Sequence, residues 1–246
     1  MQTAILIIGH GTAEPEGTRG FLELVSSVQK QVRSYVQPAF LEISRPSILE
    51  GAEHCLSTGA NGLFVIPLFL FGGQDVKKKL PLALDEVRTR HPQLAITLSP
   101  PIGQNQQLLK ILMDRLRMVV ESTSPSDTAA LLVARGSSDR DALAEMEEIR
   151  SRFAQETGLR TARHAFVEIA SPSIPDGIQA CLALHPKEIA VLPYLLFPGM
   201  MLKKVKDQVG GVRSRQTGGV PIRVADCLGP HPKLTELLIE RIRKDR

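Results

Sequence analysis

The sequence predicts an α/β protein of two tandem lobes, each a four-stranded parallel sheet covered by helices. Three observations predict it. The chain is duplicated: LEISRPSILEGAEHC (41–55) matches VEIASPSIPDGIQAC (167–181), and FVIPLFLFGG (64–73) matches AVLPYLLFPG (190–199). Short apolar runs alternate with amphipathic segments through both copies, the rhythm of strand and helix. The apolar runs are nearly continuous rather than alternating, as in strands covered on both faces.

In the first copy the strands fall at 4–8, 38–43, 63–70 and 94–98. Between them, 18–34, 47–58, 76–90 and 104–119 have helical spacing, the last through Leu109, Leu112, Leu116 and Val119. The second copy repeats the strands near 130–134, 164–169, 188–195 and 221–225. An offset of 126 relates Glu42 to Glu168, Pro67 to Pro193 and Gly103 to Gly229. ILIIGHGT (5–12) pairs with LLVARGSS (131–138), the offset slipping to 125 at His10 and Arg135, which implies a one-residue insertion. The polar stretch ESTSPSDT (121–128) reads as a linker. The expected lobes are therefore 1–120, carrying the active site, and 129–246. Both should be flavodoxin-like and face each other across a cleft that holds the active site.

Composition narrows the function. Hydrophobic residues make up 43% and charged residues 23%, an ordinary globular balance. The longest apolar run, Leu63 to Phe71, is interrupted by Pro67 and is too short to cross a membrane. MQTAILIIGHG lacks a basic leader, so no signal peptide is expected. Three cysteines lie far apart with no CxxC pair, which argues against a disulfide framework and fits a cytoplasmic protein. The net charge is a mild +4, and with no Trp and two Tyr there is little to stack nucleic-acid bases. A small anionic ligand fits better than DNA, RNA or a membrane.

In open parallel sheets, ligands bind at the carboxyl ends of the strands. His10 lies there after strand one, Glu42 at the end of strand two, and Gln74 and Asp75 after strand three. The second copy holds Arg135, Glu168 and Met200 with Met201 at these places. An imidazole and two carboxylates suit a divalent Fe, Co, Ni or Zn ion without choosing among them. A histidine in a glycine turn can also cap a helix, and Glu42, being shared with Glu168, can instead hold the backbone of the turn that follows it. Cys55 and Cys181 read as core. Lys77 and Lys78, with Arg45 and Arg135, would place cations near an anionic ligand, although a lysine run is also an ordinary solvated face.

These residues are recognisable. ILIIGHGT, FLEISRPSILEG, VIPLFLF, VARGSSD, PYLLFPGM and LGPHP resemble the sirohydrochlorin chelatases of class II, across nearly the whole chain. The resemblance implies insertion of Co²⁺ or Fe²⁺, in some members Ni²⁺, into a sirohydrochlorin-type tetrapyrrole for cobalamin or siroheme synthesis. It implies no organic cofactor, and the metal is a substrate. It assigns His10 and Glu42 catalytic roles and makes His10 and Asp75 metal ligands. Arg45, Gln74, Lys77, Lys78 and Arg135 would bind the polycarboxylate macrocycle. One departure stands out. The family's second histidine follows strand three in a pattern like FxxGHxxxDIP, and this chain reads FGGQDVKKKLP, with Asp75 at the histidine and Lys79 at the aspartate. A degenerate, non-catalytic tetrapyrrole- or metal-binding protein is the alternative. With both lobes in one chain, a monomer or weak homodimer is expected.

Overall fold

The computed structural model describes residues 2–103, 105–121, 124–159, 161–215 and 219–244. Residues 122 and 123 of the expected linker lie outside the described residues. Strands β1 (Thr3–Gly9), β2 (Val36–Phe40), β3 (Gly62–Pro67) and β4 (Ala95–Leu98) form one parallel sheet in the order β2-β1-β3-β4. Strands β5 (Thr128–Ala134), β6 (Thr161–Phe166), β7 (Glu188–Pro193) and β8 (Ile222–Val224) form the second, in the order β6-β5-β7-β8. The fold class is as expected. In both sheets the strand order reverses beside the first strand, so the crevice that such sheets offer to a ligand opens where β1 and β3, or β5 and β7, end.

The central strands are buried along almost their whole length: Ile5 through Ile8 and Ala129 through Val133 are all 0% exposed. The helices are α1 (Pro15–Gln29), α2 (Ile48–Ser57), α3 (Leu80–Arg90), α4 (Gln106–Val119), α5 (Arg140–Thr157), α6 (Ile174–Leu182), α7 (Met200–Arg213) and α8 (Pro232–Lys244). A π-helical turn, Asp75–Lys79, precedes α3. Helices α2 and α6 begin with the same capping box, Ser47 with Glu50 and Ser173 with Asp176. Among the described residues, no helix is long and apolar enough to cross a membrane.

The compact units do not follow chain order. One comprises Met1–Gly103 with Pro230–Arg246, the other Gln104–Gly229. Helix α4 thus belongs with the second sheet, and α8 with the first, rather than with the lobes 1–120 and 129–246. The buried stripe of α4, from Leu108 to Leu116, packs on α5 and β7, and Arg115 Nε donates to the Cys227 carbonyl at 2.7 Å. Helix α8 packs on α1, and Arg241 donates to the Pro100 carbonyl. The segment around the expected linker is anchored by Glu188, which is 4% exposed. Its carboxylate accepts from the Glu121 N–H, the Thr128 hydroxyl and Arg223 at 2.9–3.0 Å.

Strand two is shorter than expected, ending at Phe40 rather than at residue 43. The chain continues along β1 for two residues: the Leu41 N–H donates to the Gly9 carbonyl at 2.9 Å, and that of Glu42 to the His10 carbonyl at 3.0 Å. It then turns at Ile43, whose φ of 65° is unfavourable for a β-branched residue. The second unit repeats this, with the Glu168 N–H on the Arg135 carbonyl at 3.0 Å and Ile169 at φ 71°. Gly11 (φ 95°) and Gly136 (φ 101°) make this approach possible, since a Cβ there would meet the carbonyl oxygen of Glu42 or Glu168 at 1.8 or 1.9 Å.

Gly136→Ala and Gly11→Ala should therefore each lower the unfolding free energy by about 2–4 kcal/mol. Gly210→Ala, in α7 with nothing within 4 Å of the added methyl, should cost nothing or stabilise slightly. Urea unfolding of the three variants checks the contrast.

Candidate active site

Four side chains meet at the carboxyl end of the first sheet. The β1 exit fixes His10, the β2 extension fixes Glu42, and the π turn after β3 carries Asp75 and Lys79. His10 Nε2 lies 3.2 Å from Asp75 Oδ2. Lys79 Nζ lies 2.8 Å from Glu42 Oε1 and 2.9 Å from Asp75 Oδ1. The Phe69 ring meets the imidazole edge-on at a centroid distance of 6.5 Å. The side chains are partly open to solvent, from 25% for Asp75 to 46% for Lys79. Hydrogen bonds to Glu42 and then to Asp75 hold the Lys79 ammonium above its ordinary pKa.

His10 Nδ1 stands 3.3 Å from the Gly11 carbonyl. With a cation held between His10 and Asp75, a proton on Nδ1 donated there would leave the Nε2 lone pair to the ion, the arrangement that orients a ligating histidine. Two donors each about 2.0–2.2 Å from a metal stand roughly 3 Å apart, close to the observed His10–Asp75 separation. The pair therefore fits a divalent ion. Among the described residues, no group of three or more His, Cys, Asp or Glu is arranged as a metal cage. Two protein donors would leave an ion's other coordination positions open.

The remaining expected site residues divide. Gln74, Lys77 and Lys78 sit exposed on and beside the π turn. Arg45, largely exposed, has its Nη1 2.8 Å from Glu50 Oε1 at the start of α2. The turn after Glu42 is held by the Ser47–Glu50 capping box and not by the Glu42 side chain, contrary to that alternative. Arg135 stays in the second unit, where its Nε is 3.4 Å and Lys204 Nζ 2.6 Å from Glu168. That cluster has one carboxylate against two cations, while the first has two carboxylates against one ammonium and an imidazole. Cys55 and Cys181 are fully buried, and burial pushes their thiols up to about 12 and about 11. Beside the β1 exit, Thr12, Thr18, Arg19, Ile43 and Ser44 line a groove of about 710 Å³. Ile43 is 69% exposed there despite its left-handed backbone.

Lys79 is the residue that sequence reasoning passed over in favour of its neighbours Lys77 and Lys78. A signal existed. Gly73 and Gly199 differ by 126, whereas Lys79 and Lys204 differ by 125. The first copy thus has one extra residue in this turn, and the π turn absorbs it, with the Leu80 N–H reaching back to the Asp75 carbonyl. Beyond it the buried stripes coincide again, Leu80, Leu84 and Val87 matching Val205, Val209 and Val212.

Tandem parallel α/β units with this cluster on only the first of them define a duplicated chelatase-type protein. The chain belongs to the CbiX family, whose model matches residues 4–119 and again 129–245. A sirohydrochlorin cobaltochelatase of Priestia megaterium is 31% identical over 242 residues, 97% of this chain and 78% of the relative. A sirohydrochlorin ferrochelatase of the same organism is 27% identical, covering 98% of this chain and 89% of the relative. The solved structure of SirB from Bacillus subtilis with Fe³⁺ superposes with a TM-score of 0.85 at 22% identity, over 99% of this chain and 95% of that one.

The second cluster gives a pH signature. The hydrogen bond from Lys204, aided by Arg135, holds the Glu168 carboxyl below its ordinary value. Its contribution is present above the unfolded carboxylate pKa and fades as pH falls through the lower folded one. Glu168→Gln should cost about 0.5–1 kcal/mol at pH 7, and the difference from wild type should shrink steadily below about pH 4 in denaturant titrations.

Proposed function

We propose that the protein inserts a divalent metal, Co²⁺, Fe²⁺ or Ni²⁺, into sirohydrochlorin or a closely related tetrapyrrole. The observation that carries the reading is the His10–Asp75 pair at the strand-order switch point, in a full-length match to relatives named as cobalto- and ferrochelatases. His10 and Asp75 hold the incoming ion by two donors and leave its other positions to water and then to pyrrole nitrogens. Insertion removes two pyrrole N–H protons for each ion gained. Once the metal leaves, the His10 Nε2 lone pair can take one proton, and a nearby carboxylate can pass the other to solvent. Lys77, Lys78 and Gln74 border the approach and meet the substrate's carboxylates; Arg135, at the matching strand end of the second copy, is proposed as a further carboxylate-binding cation.

The second reading, a binding protein without catalysis, is favoured by one observation: an ammonium already engages both carboxylates. The protein is assigned to the cytoplasm because its three cysteines are buried free thiols, suited to a reducing compartment. It is assigned as a monomer or weak homodimer because one chain supplies both copies.

Mixed with sirohydrochlorin and Co²⁺ or Fe²⁺, the protein should change the macrocycle's absorbance faster than the uncatalysed reaction. His10→Ala should lower that rate by about 10²–10⁴-fold. Equal rates for the two proteins would remove His10 from the mechanism, and tight tetrapyrrole binding with no acceleration by either metal would establish the binding-protein reading.

A further inference from the structure

Lys79 occupies the position of greatest negative charge in the first cluster, and nothing in the reading above gives it a task. Its ammonium is shared between Glu42 Oε1 at 2.8 Å and Asp75 Oδ1 at 2.9 Å, while the other oxygen of Asp75 faces His10 at 3.2 Å. The one carboxylate that links the imidazole to the ammonium is thus claimed from both sides. A divalent ion beside His10 and Asp75 would bring two positive charges against a third at contact range, and such like-charge juxtaposition is strongly unfavourable.

Lys79 is also placed deliberately by the backbone. The one-residue insertion in this turn keeps Leu80 buried at 0% exposure and puts Lys79 immediately before it, where it spans back to Asp75 by four residues. In the second copy the matching Lys204 bonds Glu168 alone, and Met201 stands at the place of Asp75, 126 residues on. The lysine–glutamate bond is common to both copies. The added contact with a carboxylate that also meets an imidazole belongs to the first.

We propose that Lys79 is an internal cation that competes with the metal substrate: the metal displaces its ammonium from Asp75, and the ammonium returns as the metal passes to the macrocycle. The inference rests on the reading of His10 and Asp75 as the metal's ligands. Its consequence is a site that grips metal weakly and releases it readily, because re-forming the ammonium's bond to Asp75 offsets the loss of the ion. No covalent step is involved. The exchange is one cation for another at the same carboxylate, the metal on the Asp75 oxygen that faces His10 and the ammonium on the other, with the lysine swinging on its flexible stem, 46% exposed to solvent.

The test is a titration of the metal-free protein with Co²⁺, followed by visible absorbance, on wild type, Lys79→Met, Lys79→Gln and Lys79→Arg. Removing the charge should tighten Co²⁺ binding at least about tenfold in both the Met and Gln variants, and Lys79→Arg should stay near wild type. In steady-state insertion the same two variants should show a lower KM for Co²⁺ together with a lower kcat, a split that a lysine serving only as a structural prop would not produce. Unchanged or weaker Co²⁺ binding in Lys79→Met and Lys79→Gln overturns the inference. The double variant His10→Ala/Lys79→Met separates this proposal from the reading beneath it. Loss of the tightened binding there supports both. Tightening that survives without His10 upholds the lysine's competition and removes His10 as a ligand.

Discussion

The candidate site depends on two backbones lying closer than a Cβ allows. At the exit of β1, the carbonyl of Glu42 packs into the space a side chain would fill at Gly11, and the Glu42 N–H closes onto the His10 carbonyl at 3.0 Å. This contact fixes the imidazole and the glutamate on adjacent strand ends. It also forces Ile43 into a left-handed conformation, a strain of about 1–3 kcal/mol that both units retain. An exposed isoleucine at positive φ in each copy has no packing explanation within its own unit.

Duplication makes the second copy an internal control. It preserves the strand order, the glycine approach, the capping box and the lysine–glutamate bond, so those features belong to the fold. What differs lies in the candidate site. His10 becomes Arg135, Asp75 becomes Met201, and the π turn becomes a regular first turn of α7. The π turn exists because the stripe Leu80, Leu84 and Val87 must stay on the sheet, so an added residue is forced outward. A single insertion thereby carries Asp75 to the imidazole and Lys79 to both carboxylates.

Much of this was legible in the sequence. Near-continuous apolar strands and the constant repeat offset defined two parallel sheets, and the strand-end rule placed His10, Glu42 and Asp75 together. The assignment of α4 and α8 was not legible, because an amphipathic stripe says that a helix packs without saying on which sheet. The partner of Arg45 was hidden for a similar reason: its charge is visible in the sequence, but its pairing with Glu50 is settled by the geometry of the α2 cap. Lys79 was hidden beside two identical neighbours. Only the change of offset from 126 to 125 singles it out, and that offset acquires meaning once the π turn is known.

The central claim is that two similar units divide the labour, with metal chemistry confined to the first. The stoichiometry of Co²⁺ at saturation, by equilibrium dialysis on wild type, His10→Ala and Arg135→Ala, tests it most directly. The account predicts one ion per chain in wild type and Arg135→Ala, and none in His10→Ala. Two ions per chain, or one ion retained without His10, would contradict it.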